Sequence, residues 1–170
     1  MSKYTYPCLP WTKYNNNVGK FLDPAYYTAI GSEHPGADIN ANTGGNSDLG
    51  HPVYCIADGI VEVNKFFPAW GNVVLVYHPG PKIWSQYAHL QDVYVRQGQE
   101  LKVKDKVGTI GRGAQNRYIA HLHFEIRYKK VPADYWTSAY LPDRVKARAD
   151  IKSKYVDPIK FLEKMQATKV

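Results

Sequence analysis

The stretch Ala120-His121-Leu122-His123-Phe124-Glu125-Ile126 decides how this chain is read. It has the character of a β-strand, and a strand repeats every two residues, so His121 and His123 point to one face of a sheet. Glu125 continues that alternation and can either support the histidines or serve a salt bridge. Two imidazoles on one face invite a search for partners, because imidazole is the commonest metal-ligating side chain. His34-Pro35-Gly36-Ala37-Asp38 supplies an imidazole and a carboxylate four residues apart, and Pro35-Gly36 argues for a loop entering a strand rather than a helix. His89 ends the apolar, aromatic segment Gln86-Tyr87-Ala88-His89-Leu90. Catalytic zinc sites take three protein ligands and keep a fourth position for water. Five candidates, His34, Asp38, His89, His121 and His123, therefore leave two side chains for acid–base work. Alone, each has an ordinary alternative: a satisfied strand histidine, or a turn or cap aspartate.

Working outward, residues 52–127 alternate short β-branched runs with Gly and Pro, the pattern of antiparallel β structure. The expected fold is mainly β, a single domain built on an antiparallel sheet with a central substrate groove, short peripheral helices and a C-terminal helix. Residues 1–30 are expected to form a loop-dominated wrap with one short helix, residues 31–127 the β core, and residues 128–170 a basic excursion plus that helix. The polar, glycine-rich loop 40–50 follows Asp38 and is expected to wall the groove. Residues 131–155 read as irregular. Asp157-Pro158 reads as the N-cap and first residue of the last helix. His51 and His78 precede Pro52 and Pro79, and are expected at the surface. Asn72 is a weak candidate for a hydrogen bond near the groove. Tyr26 and Tyr27 lie upstream of His34 without a motif to place them.

These motifs resemble the lysostaphin/LytM-type zinc metallopeptidases, which cut peptidoglycan. That family carries His-x-x-x-Asp, then a Tyr-Ala-His-Leu-like block, then His-x-His, matched here by His34 to Asp38, Tyr87 to Leu90, and His121 to His123. The segments Val53 to Val61, Gly71 to His78 and Val95 to Gly111 resemble its framework, so the likeness spans roughly residues 31 to 127. It implies one zinc ion (Zn2+) held by His34, Asp38 and His123, with His121 and His89 as the catalytic pair. His121, two residues from His123, is the expected base, although the two roles could be exchanged. No Glu follows a ligating histidine in a His-Glu-x-x-His helix, so the base is expected to be an imidazole.

Composition narrows the partners. Hydrophobic residues make up 44% and aromatics 14%, as in a folded chain. Fourteen tyrosines and four tryptophans exceed core needs, so some are expected to line a groove. The net charge is +7, with the basic excess concentrated near the C-terminus, which favours anionic partners. No nucleic-acid motif accompanies it, so envelope components are the expected partners, beside peptidoglycan itself. Stable membrane insertion is not expected, and neither is an oligomer. Cys8 and Cys55 show no metal spacing; Cys55 sits in an apolar run where a buried thiol is the default, and a disulfide between the two is left open.

Met1 to Pro7 lacks the apolar core of a signal peptide. With the resemblance, this suggests a bacteriophage endolysin, made in the host cytoplasm and released onto the wall at lysis. The expected activity is zinc-dependent endopeptidase cleavage of peptidoglycan cross-links. The D-alanyl–diaminopimelate bond is favoured over glycyl–glycine, because no wall-binding domain is appended. The alternatives are a catalytically silent module that activates a wall amidase, and a virion-associated wall-degrading protein.

Overall fold

The computed structural model describes residues 3–167. Among the described residues, ten strands form one sheet: β1 (Tyr14–Asn15), β2 (Ala37–Ala41), β3 (Pro52–Tyr54), β4 (Gly59–Phe67), β5 (Gly71–His78), β6 (Ile83–Val93), β7 (Glu100–Leu101), β8 (Lys106–Ile110), β9 (Leu122–Arg127) and β10 (Tyr155–Val156). Four α-helices among the same residues accompany it: α1 (Pro24–Ile30), α2 (Thr137–Tyr140), α3 (Arg144–Lys154) and α4 (Pro158–Ala167). The strand order is β1-β2-β9-β6-β5-β4-β7; β10 adds to β9, and β8 joins β3 to β6. Each of these pairings is antiparallel. The fold is therefore mainly β, as the alternating runs predict.

Strand β9 lies between β2 and β6, and every one of its residues is buried. Leu122, Phe124 and Ile126 enter the main core with Ile39, Val53, Ile56, Val76, Tyr87 and Ile110. Burial of each large apolar side chain stabilises the fold by roughly 1.5–3 kcal/mol. The opposite face of β9 carries His123, Glu125 and Arg127, and it too is covered. Residues 131–155 supply that cover, and they are more ordered than an irregular excursion: they contain α2 and α3. Asp143 caps α3 by accepting from the Lys146 amide. Only Ala147 and Ile151 of α3 are buried, so its helical period is faint in the sequence.

The terminal helix starts as expected, with Asp157 accepting from the amides of Ile159 and Lys160. Helix α1 is capped by Asp23 and ends on Gly31 in the left-handed region (φ 77°). His78 departs from the expected surface position. It is fully buried, with Nδ1 on the Asp58 carbonyl and Nε2 2.7 Å from Ser85 Oγ, because the β5–β6 pairing folds it under the sheet. His51 is half-buried, its Nδ1 2.8 Å from the Tyr14 hydroxyl. Cys8 and Cys55 are buried free thiols.

The basic C-terminal surface is less free than composition suggests. Arg144 and Arg148 both pair with the buried Glu33, at 2.8 and 3.0 Å. Lys154 pairs with Asp150 at 2.5 Å. Lys146 and Lys152 are exposed. No helix among the described residues is long and apolar enough to cross a membrane.

Candidate metal centre

Strand pairing assembles the centre. Asp38 on β2 is the register partner of His123 on β9, and Ala88 on β6 is the register partner of His123 on the other side. His34, on the loop leading into β2, reaches the same point. His34 Nε2, Asp38 Oδ1 and His123 Nδ1 form a triangle with edges of 3.1, 3.3 and 3.0 Å. Ligands around a tetrahedral zinc at bond lengths of ~2.0–2.1 Å stand about 3.3 Å apart, so the triangle has the size of one face of such a site.

The hydrogen atoms on the rings point the same way. His34 Nδ1 lies 3.1 Å from the Lys20 carbonyl and must donate to it, which leaves Nε2 as a lone pair. His123 Nε2 lies 2.9 Å from Glu125 Oε1, which leaves Nδ1 as a lone pair. Two imidazole lone pairs and a carboxylate thus face one another, an arrangement that repels unless a cation or a proton sits among them. Without a metal, burial disfavours the charged His123 ring, yet the Asp38 and Glu125 carboxylates push its pKa up to about 9. Burial would raise the Asp38 carboxyl, but His34 first and then His123 hold it well below the ordinary range. The residues present fit a divalent cation.

Gly36 lets the loop that carries His34 approach this closely. A Cβ there would lie 2.5 Å from the Phe124 carbonyl oxygen and 3.2 Å from the His123 ring.

His89 and His121 complete the cluster. Strict alternation along β6 would send His89 to the face of Tyr87, into the core. Instead His89 adopts φ 64°, an uncommon conformation for a non-glycine residue, where the register of β6 is irregular. The bulge turns its ring to 4.9 Å from His121 and 5.7 Å from His123. Gly111 makes room, since a Cβ there would meet the His89 carbonyl oxygen at 2.3 Å. His89 Nδ1 donates to the Trp70 carbonyl at 2.8 Å, and His121 Nδ1 to the Ile119 carbonyl at 2.8 Å. Both Nε2 atoms are therefore lone pairs, and His121 Nε2 lies 3.6 Å from Asp38 Oδ1. Burial, then the neighbouring His121 and His123, lower the His89 pKa to about 3, so its ring stays neutral.

The cluster opens on a cleft of roughly 680 Å³. Its walls include four aromatics that sequence reasoning did not place: Tyr26, Trp70, Tyr118 and Trp136. Tyr26 stacks on His34 at 4.3 Å, and Tyr118 lies 4.6 Å from the His89 ring. Trp70 and Trp136 meet edge to face at 5.7 Å. Their only signal in the sequence is the excess of aromatic residues. The loop 40–50 is not among the walls of this cleft; Asn46 instead accepts from the Ala120 amide, just ahead of His121. Glu125 does both jobs left open for it, bonding His123 and pairing with Arg127 at 2.7 Å. Asn72 donates to the carbonyls of Leu90 and Gln91, beside the His89 bulge.

The chain is similar to known proteins in sequence and in fold. The chain is 31% identical over 128 residues to the lipoprotein NlpD/LppB homolog of Pseudomonas aeruginosa, covering 75% of this chain and 41% of that protein. It is 32% identical over 113 residues to the murein hydrolase activator NlpD of Escherichia coli, covering 62% of this chain and 28% of that protein. The chain thus spans less than half the length of these relatives. A zinc-containing peptidase from Vibrio cholerae superimposes with a TM-score of 0.55 at 26% identity, over 74% of this chain and 36% of that one. Lysostaphin from Staphylococcus simulans superimposes with a TM-score of 0.66 at 19% identity, over all of this chain and 57% of that one, a likeness of fold.

The lipoprotein relative corrects one expectation. A lipoprotein is held at a membrane by its acyl chains, so this likeness points to the cell envelope and away from cytoplasmic synthesis with release at lysis. The model of peptidase family M23 matches residues 32–135, which is more than half of the sequence, and the chain belongs to that family.

Proposed function

We propose that the protein is a zinc-dependent endopeptidase that hydrolyses peptide cross-links of peptidoglycan in the bacterial envelope. The observation that carries this reading is the complete set of three donor atoms with two further imidazole lone pairs turned toward them. His34, Asp38 and His123 would hold the ion. A bound zinc ion lowers the pKa of a coordinated water to about 7 and polarises a carbonyl.

The chain's own groups do the rest. His121 accepts the proton of the attacking water at Nε2 and returns it to the leaving amine, its Nδ1–H held by the Ile119 carbonyl. His121 is the more exposed of the pair, at 14%, which suits exchange with solvent. His89, neutral and fixed by Trp70, accepts a hydrogen from that water and orients it. The aromatic walls seat the stem peptide and exclude water from the reacting amide.

The bond proposed is D-alanyl–diaminopimelate, favoured by the Gram-negative sources of the relatives. A second reading, a silent module that activates a separate wall hydrolase, draws on the relative named as an activator. The intact cluster weighs against it. The lipoprotein likeness weighs against a phage lysin or a virion-borne enzyme.

Mass spectrometry of muropeptides from diaminopimelate-type wall separates these readings. Conversion of cross-linked dimers to tetrapeptide monomers, stopped by a chelator and restored by zinc, is the expected result. Intact dimers with zinc bound would move the assay to glycine-bridged walls. No cleavage there either would favour the activator.

A further inference from the structure

One buried charge takes no part in this chemistry. Arg127, two residues beyond Glu125 on the same face of β9, is fully buried. A guanidinium in that position must be paired and hydrogen-bonded to be tolerated. Its partners divide into two groups. Nε and Nη2 grip Glu125 Oε2 at 2.8 and 2.7 Å, while Glu125 Oε1 holds His123. Nη2 also donates to Gln86 Oε1 on β6. Nη1 donates in the other direction, to the carbonyls of Val131 at 3.1 Å and Pro132 at 3.0 Å. The plane is backed by the Tyr155 ring, 5.4 Å from the guanidinium carbon.

The two carbonyls are the informative partners. Val131 and Pro132 lead directly into Asp134 and Trp136, which line the cleft, and Trp136 reaches within 6.2 Å of His34 and 6.3 Å of His123. One planar cation therefore joins the rear of a donor imidazole to the root of a cleft wall. A lysine would neutralise Glu125 equally well, but an ammonium lacks the rigid fork that reaches both sides at once.

We propose that Arg127 is a positioning residue that couples the orientation of His123 to the placement of the Val131–Trp136 wall of the cleft. This rests on the zinc endopeptidase reading. It goes further by tying ion affinity and substrate binding to a single buried side chain that touches neither. Glu125 serves only the first task. Changing it should disturb the ion and leave the wall in place, whereas removing the Arg127 charge should disturb both and Arg127→Lys the wall alone.

The test uses the whole chain with zinc as the probe, and compares Glu125→Gln, Arg127→Lys, Arg127→Met and the double variant Glu125→Gln/Arg127→Met. The double variant removes both buried charges together, so it guards against a single variant that fails to fold. Zinc affinity is read by chelator competition, wall order by hydrogen exchange of residues 131–140, and catalysis as separate kcat and KM values on dimeric muropeptide. Loss of an outer partner of a ligating histidine typically weakens metal binding by 10–100-fold.

Glu125→Gln is expected to weaken zinc within that range with exchange at 131–140 unchanged. Arg127→Lys is expected to hold zinc within about threefold of wild type. The same variant should speed exchange at 131–140 and raise KM more than it lowers kcat. Arg127→Met and the double variant are expected to lose on both counts. The proposal is overturned if the Arg127 variants exchange like wild type at 131–140, or if Glu125→Gln loosens that segment as much as they do. Failure of the wild-type chain to bind zinc would instead overturn the endopeptidase reading; exchange at 131–140 in the Arg127 variants, set against Glu125→Gln, would still decide whether Arg127 holds the wall.

Discussion

Asp38 and His123 stand directly opposite each other on antiparallel strands, with Oδ1 and Nδ1 3.0 Å apart. Facing residues on adjacent strands hold their side chains at a separation set by the backbone, so the sheet itself fixes two of the three donors. Asp38→Asn keeps the shape and removes the charge. Zinc affinity should fall by about 100-fold or more, with the far-UV circular dichroism unchanged, because the loss is electrostatic rather than a matter of packing. Equilibrium dialysis with metal analysis checks it; full zinc retention by the Asp38→Asn variant would remove Asp38 from the ligand set.

The two further imidazoles should separate from the donors. His121→Ala and His89→Ala are expected to keep zinc and to lower kcat by roughly 10²–10⁴-fold, the range for losing a general base or an orienting partner. Loss of zinc in either variant would make that residue a ligand. Equal kcat in wild type and His121→Ala would move the base to His89.

Trp136 is half-buried, lines the cleft and packs on Trp70. Trp136→Ala should raise KM about tenfold, or ~1.4 kcal/mol of binding, with a smaller change in kcat. Steady-state kinetics on dimeric muropeptide decide it. A pure kcat effect would place Trp136 in transition-state stabilisation instead.

His78 predicts a stability trend away from the centre. Burial lowers its pKa below the ordinary 6.5, in spite of its bonds to the carbonyls of Asp58 and Ala57. The unfolded chain therefore takes up a proton near pH 6.5 that the folded chain refuses. Stability present above that pH is lost as pH falls, at up to about 1.4 kcal/mol per unit, until the folded-state pKa is reached. His78→Gln should flatten this part of the curve while lowering stability at about pH 8, well above the titration, since the bonds to Asp58 and Ser85 are disturbed. Urea titrations at a series of pH values measure both effects; an unchanged slope would mean that His78 is not the group responsible.

Much of the centre was legible because strand alternation is local. His121, His123 and Glu125 share a face through the period of two alone, and Asp157-Pro158 announces a helix start through its own capping chemistry. His89 is different. Its side chain reaches the site only through a positive φ and a slipped register, features that the alternating pattern by itself contradicts. His78 is misplaced by sequence for a related reason. A histidine before Pro79-Gly80 looks like a turn residue until the hairpin places it against Ser85. Helix α3 escapes a sequence reading because only two of its residues are buried, which leaves almost no apolar period to read.

The chain's own order of residues determined which segments carry imidazole and carboxylate groups at strand spacing, and that the framework is an antiparallel sheet. The tertiary structure decided the rest. Closure of the sheet brings His34 and His123, 89 residues apart, to 3.1 Å. Carbonyls from Lys20, Trp70 and Ile119 choose which nitrogen of each ring faces inward. The segment after β9 folds back to supply Trp136 and the carbonyls that Arg127 needs. Those pairings join residues far apart in the chain, and no local period encodes a distance that only the packed sheet defines.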